Sequence, residues 1–192
     1  MAVLLSNIEF LVRHWFYISL FLLVPSVVVL VWVFLPTIWG APWLPSSLGT
    51  VRRMLDLARV RPGQKVVDLG AGDGRIVILA ALLFKARAVG VEIDPVRCLL
   101  ANTIIRVLGL RDRARIERGD LFGFDLSDAD VVTLFLLSGT NHNLRSRLAG
   151  QLRPGAIIAS HKFPLTDWVP VAVDEQRRVF VYEVGRSGPR PR

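Results

Sequence analysis

The sequence predicts an α/β domain, doubly wound on a mainly parallel sheet with a C-terminal antiparallel hairpin, behind one N-terminal transmembrane helix. Three observations carry this expectation. An uncharged apolar stretch opens the chain, strand-like and helix-like segments alternate from Lys65 to Ser160, and two β-rich runs close it.

The 192 residues hold one domain of ordinary size plus a short extra element. Hydrophobic residues make up 52% and the mean hydropathy is +0.45, high for a domain in which 21% of residues are charged. The excess is local: no Asp, Glu, Lys or Arg lies between Arg13 and Arg52. About 20 apolar residues cross a bilayer core, and a secretory apolar region of about 7 to 15 is shorter than this stretch. We therefore expect a membrane anchor over 1–40, with its helix over about 15–36, a domain over 41–185 and a basic disordered tail over 186–192. Only Arg13 flanks the stretch on its N-terminal side, whereas Arg52, Arg53, Arg59, Arg61 and Lys65 follow it. That asymmetry expects a single-pass protein with the N-terminus outside and the domain on the cytoplasmic side.

Glu9 and Arg13 cancel, so the net charge of +8 resides in the domain. The arginines are scattered along it. A nucleic acid or anionic lipid headgroups could meet them, and a solvated basic surface close to a membrane is the reading we prefer. The lone Cys98 can form no internal disulfide and fits a reducing compartment.

The elements follow in order. Val51, Leu55 and Ala58 recur at helical spacing behind Ser46 and Ser47, either of which can cap a short helix. A strand over 65–69 leads through a glycine turn into a helix over 75–84. A second strand, 88–93, precedes a helix capped by Asp94, with Pro95 at its first position and Gly109 past its end. Strands are expected over 114–118, 130–137 and 156–160, with a helix over 141–149 before the last of them. The hairpin is expected over 168–173 and 178–184.

The chemical signal lies in Asp68-Leu69-Gly70-Ala71-Gly72-Asp73-Gly74-Arg75. The glycines permit a sharp turn from strand to helix and close approach of a ligand to the main chain at a helix N-terminus. No Gly-Lys-Ser/Thr ends the loop, which excludes a P-loop, and Asp73 stands where a pyrophosphate would approach. An acidic loop suits a cationic ligand without phosphate, such as S-adenosyl-L-methionine. Glu92, at the end of the second strand, is placed for ribose hydroxyls, and Asp120 with the Leu121 amide, after the third, for an adenine edge. The cofactor set is thus Asp68, Gly70, Ala71, Gly72, Asp73, Glu92, Asp120 and Leu121. Asp94 needs no role beyond its cap.

From Lys65 to Ser160 the chain resembles a Rossmann-like, seven-strand class I methyltransferase dependent on S-adenosyl-L-methionine. Pro42-Trp43-Leu44-Pro45-Ser46, the glycine loop, Val132-Thr133-Leu134-Phe135-Leu136-Leu137 and Ser160-His161-Lys162-Phe163 carry a narrower likeness. They are similar to the archaeal broad-specificity protein-lysine methyltransferases and to their membrane-anchored mitochondrial relatives, which include the ATP synthase c-subunit enzymes. Ser46 stands where those families have Thr. The resemblance implies a protein-lysine N-methyltransferase and places Trp43, Ser46 and the turn from Leu136 to Ser138 near the transferred methyl group.

Methyl transfer from a sulfonium is an in-line displacement that needs alignment and shelter from water more than a general base. Trp43, Phe135, Leu136 and Phe163 are candidates for the walls of an apolar lysine channel, with ordinary packing as the competing account. His161 reads as a loop-orienting histidine, with an acid or base role as the alternative. Ser138 has no partnering base, and no cluster has metal-ligand spacing. The expected partners are a protein lysine, on a membrane protein or near one, and the lipid bilayer, with nucleic acid disfavoured. Two other substrate classes stay open, a lipid or quinone and RNA. So does a tethered cofactor-binding module without turnover.

Overall fold

A computed structural model describes residues 2–34 and 46–187, with only the backbone at the two ends of the first helix. Trp43, one of the expected channel residues, lies outside the described residues. The chain divides into two compact units, Met1–Trp43 and Leu44–Arg192.

Among the described residues the first unit contains one helix, α1 (Ala2–Phe34). Within it Arg13–Val31 is long and apolar enough to cross a membrane, with a mean hydropathy of 2.1 and none of its residues buried in the protein. Pro25 removes one backbone donor, and the neighbouring Ser26 hydroxyl donates to the Leu22 carbonyl at 2.7 Å.

The second unit is built on a seven-stranded sheet. Its elements are α2 (Leu48–Leu57), β1 (Lys65–Leu69), α3 (Arg75–Phe84), β2 (Arg87–Glu92), α4 (Pro95–Val107), β3 (Ala114–Arg118), β4 (Val131–Leu134), α5 (Ser138–Gln151), β5 (Ile157–His161), β6 (Ala172–Asp174) and β7 (Val179–Glu183). The strand order is β3-β2-β1-β4-β5-β7-β6, with β1 to β5 parallel and β7 antiparallel to both neighbours. The order reverses between β1 and β4. Doubly wound sheets bind their ligands at that switch point, beyond the strand C-termini.

The inner strands β1 and β4 are buried on both faces and are rich in Val and Leu, whereas the edge strands β3 and β6 alternate with exposed positions. One core packs α2, α3 and α4 on the sheet through Val51, Leu55, Val77, Ala101 and Ile105. The other packs α5 against the opposite face through Leu144, Leu148, Leu69, Leu134 and Ile158. Ser47 caps α2 by accepting from the Thr50 amide at 3.1 Å, and Asp94 caps α4 by accepting from Val96 and Arg97.

Several boundaries differ from the sequence expectation. β4 ends at Leu134, opposite Leu69, the last residue of β1, so Phe135, Leu136 and Leu137 leave the sheet and rise over its C-terminal edge. α5 begins three residues earlier than expected, at Ser138, and runs through Gly150. Gly150 adjoins nothing within 4 Å, and Pro154 is the stronger stop. β6 is only three residues long because Pro170 interrupts the pairing between a lone bridge at Trp168 and the strand itself, and the Trp168 side chain turns into the core, edge-on to Tyr182. Arg186 and Ser187 stay with the domain, where the Ser187 hydroxyl accepts from the Glu183 amide at 3.1 Å.

Candidate functional site

Asp68 is the penultimate residue of β1, fully enclosed between β2 and β4. Its Oδ1 accepts from the Thr133 hydroxyl at 2.6 Å, while Oδ2 is buried with no partner. Burial raises its pKa to about 7; the Thr133 bond lowers it, and the charges of Glu92 and Asp73 push it further up. A buried carboxylate oxygen without a donor calls for a cation. An ammonium beside it would both satisfy the oxygen and restore the charged form.

The glycine loop spans the gap between β1 and α3. Gly70, Gly72 and Gly74 have φ of +80°, +57° and +76°, values that favour glycine. The sequence expects the loop's amides to face a ligand, and most do not. The Gly70 and Ala71 amides both donate to the Val91 carbonyl at 2.9 Å, and the Gly74 amide donates to the Ala71 carbonyl. A ligand here meets the acids and the loop's outer surface.

Glu92 ends β2, nearly buried. Its Oε2 accepts from the Gly72 amide at 2.8 Å and its Oε1 from the Asp94 amide at 3.0 Å, so the carboxylate pins the loop to the strand end. Each oxygen keeps a lone pair for a ribose hydroxyl. Asp120 sits two residues beyond β3, exposed, its Oδ1 accepting from the Phe122 amide at 2.9 Å and its second oxygen open. The adjoining Leu121 is half-buried, and its amide has no acceptor among the described residues. Asp73 is not a free acid. Arg75 grips it through Nε at 2.9 and 3.0 Å and again through its terminal nitrogen, which weakens the argument that Asp73 alone repels phosphate.

The remaining candidates gather across the switch point. Leu136 is buried directly over Gly70: a Cβ there would lie 2.8 Å from its Cδ2. Ser138 is exposed at the first position of α5. His161 closes β5, buried, with Nδ1 2.8 Å from the Ser46 hydroxyl and its ring 4.3 Å from that of Phe135. Desolvation, then the nearby Lys162 and Arg178, lower its pKa to about 4, so it stays neutral near pH 7. That supports the orienting role over an acid or base role. Phe163 is partly buried, and its carbonyl accepts from the Ser160 hydroxyl at 2.5 Å and the Asn141 amide nitrogen at 2.9 Å. Among the described residues no group of acids, histidines and cysteines can hold a metal ion.

Four contributors escape the sequence reading. Arg75 bridges Asp73 to the Ser46 carbonyl, tying the glycine loop to the segment before α2. Thr133 bonds Asp68, and Asn141 holds the turn after β5. Gly90 makes room for the loop, because a Cβ there would come within 2.5 Å of the Ala71 Cβ. Thr in an apolar strand and Asn in the first turn of a helix were visible signals without an assigned partner.

A seven-strand sheet in this order, with a partnerless carboxylate beside a glycine loop and further acids at the ends of neighbouring strands, is a methyltransferase arrangement. The ANTKMT methyltransferase domain model matches residues 68–172. The chain belongs to this methyltransferase family. It is 40% identical over 151 residues to a protein-lysine N-methyltransferase of Saccharolobus islandicus, covering 75% of this chain and 94% of the relative. The mouse adenine nucleotide translocase lysine N-methyltransferase is 38% identical over 77% of this chain, which spans 65% of that protein. An RNA methyltransferase of Salinibacter ruber, solved in complex with S-adenosyl-L-homocysteine, superposes with a TM-score of 0.74 at 41% identity. That match covers 77% of this chain and 98% of the Salinibacter one. The family resemblance expected from the sequence and its seven-strand class I fold are thereby shown.

Proposed function

We propose that this family member methylates lysine side chains of proteins in or beside a membrane, using S-adenosyl-L-methionine, with α1 as its single-pass anchor and the domain on the cytoplasmic side. The observation that carries the enzymatic part is the 40% identity with a protein-lysine N-methyltransferase across nearly that whole protein, over a site whose buried Asp68 lacks a cationic partner.

The cofactor supplies a methyl group activated on a sulfonium. Asp68 would take its ammonium, Glu92 its ribose, and Asp120 with the Leu121 amide its adenine. Phe135, Leu136 and Phe163 would surround the methyl-accepting side with apolar surface, where desolvation favours the neutral amine a lysine must present. His161, held neutral by burial, adds no charge to oppose that. The apolar span Arg13–Val31 and the basic residues after it support the anchor and its orientation.

The test is to incubate the purified full chain with membranes and methyl-labelled cofactor. Label should enter protein bands and be recovered as methyl-lysine after acid hydrolysis. Label confined to the lipid extract, or to RNA as the name of the Salinibacter relative suggests, would overturn the lysine reading.

A further inference from the structure

The helix α4 is apolar on both of its faces. Cys98, Ala101 and Ile105 point into the core, yet Val96, Leu99, Leu100, Ile104, Val107 and Leu108 all stand on the outside. Their numbers follow i, i+3, i+4, i+8, i+11 and i+12, so they form one continuous ridge. Leu99 is 69% exposed and Val107 80%. The same helix carries Asn102, Thr103 and Arg106, with Thr103 inside the ridge, and six exposed aliphatic side chains in one row still mark a surface that meets a partner.

Charge says which partner. Alongside the ridge, between α4 and the edge strand β3, runs a groove of about 480 Å³. It is lined by Arg106, Arg111, Arg115 and Arg118. Arg115 shares Glu117 at 2.7 Å, but Arg106, Arg111 and Arg118 have no carboxylate partner among the described residues. Apolar side chains flanked by unpaired guanidinium groups match the interfacial layer of a bilayer, where acyl chains begin beneath phosphates. A nucleic acid would suit the arginines but not six aliphatic side chains, and no aromatic ring stands on the ridge for a base to stack on. A second copy of the chain, equally basic, would bring arginines against arginines.

We propose that the outer face of α4, with the arginine groove beside it, docks the catalytic domain on an anionic membrane surface. The aliphatic ridge enters the headgroup boundary and the groove holds phosphate headgroups. The docking belongs to the domain itself and does not depend on α1 crossing a bilayer, so the two ideas fail separately.

The domain Leu44–Arg192 is a compact unit with its own two cores, and the Salinibacter protein consists almost entirely of the matching domain, so this part can be tested alone. It would be mixed with phosphatidylcholine vesicles, with or without phosphatidylglycerol, and floated on a density gradient. Flotation with the anionic vesicles alone is expected, diminishing as salt is raised. Arg106→Ser combined with Arg111→Ser should weaken it by roughly 25-fold, at about fivefold per arginine near a charged surface. Leu99→Glu with Ile104→Glu should abolish it, while the circular dichroism spectrum and cofactor affinity remain those of the unsubstituted domain. Equal flotation with neutral vesicles, none with either, or unchanged flotation of both variants would overturn the proposal. So would a dimer in solution that Leu99→Glu separates, or displacement of the domain from anionic vesicles by single-stranded RNA with no effect of the leucine and isoleucine changes.

Discussion

Asp68 and His161 are two buried titratable groups whose pKa values burial moves in opposite directions, and both are open to measurement. The Asp68 carboxyl, raised to about 7, binds more protons folded than unfolded between roughly pH 4 and 7, so it lowers stability as pH rises through that window. His161, depressed to about 4, contributes stability that is fully present above its unfolded pKa near 6.5 and lost as pH falls through 4. Over pH 4 to 6.5 the two nearly offset. Urea unfolding of His161→Gln should therefore show stability falling with rising pH, and Asp68→Asn should show it rising, each by up to about 1.4 kcal/mol per pH unit. Parallel slopes in the two variants would contradict the assignment. The same carboxyl predicts that binding of S-adenosyl-L-methionine strengthens as pH rises through 7. Calorimetry at pH 6 in buffers of different ionisation enthalpy should record release of up to one proton, a release absent in Asp68→Asn.

At the scale of elements, the site depends on how closely the glycine loop lies against β2. A Cβ at Gly90 would meet Ile116 Cδ1 at 2.6 Å, a side-chain end that can turn aside, and the Ala71 Cβ at 2.5 Å, which cannot move without its backbone. Gly90→Ala should cost about 1 to 3 kcal/mol in unfolding free energy and weaken cofactor binding with it, because the loop must lift. Gly150→Ala in α5 is the counterpart. Nothing lies within 4 Å of it, and the substitution should stabilise the domain by about 0.5 to 1 kcal/mol without touching affinity. Loss of binding in both variants, or in neither, would mean that the loop's seat is not what Gly90 preserves.

The whole molecule pairs a lone apolar helix with a minimal catalytic domain. The archaeal relative is matched over 94% of its length by 75% of this chain. If α1 confines the enzyme to a membrane, removing residues 1–43 should leave methylation of a free lysine peptide unchanged. Methylation of a membrane-embedded target should fall by a factor on the order of 10² as the effective concentration advantage is lost. A labelling time course with both substrates separates these outcomes, and equal losses on both would point to damage in the domain instead.

Much of this was legible before any coordinates. Local rules suffice for the span Arg13–Val31, the caps Ser47 and Asp94, the strand-glycine-helix unit from Lys65 to Phe84, and the acids at strand ends, because hydrophobic period, capping chemistry and turn chemistry act within a few residues. The helix α5 and the strand β6 escaped those rules at their ends, where a partner strand running out or a proline weighs more than intrinsic propensity. What tertiary structure alone decided is which polar group meets which: Thr133 against Asp68, Arg75 between Asp73 and Ser46, His161 against Ser46, and the loop amides turned inward onto Val91. These pairs are separated by up to 115 residues and are set by sheet order and register. The sequence by itself determined the chemistry available to the protein, and the packing of distant strands decided which of those groups remain open to a ligand.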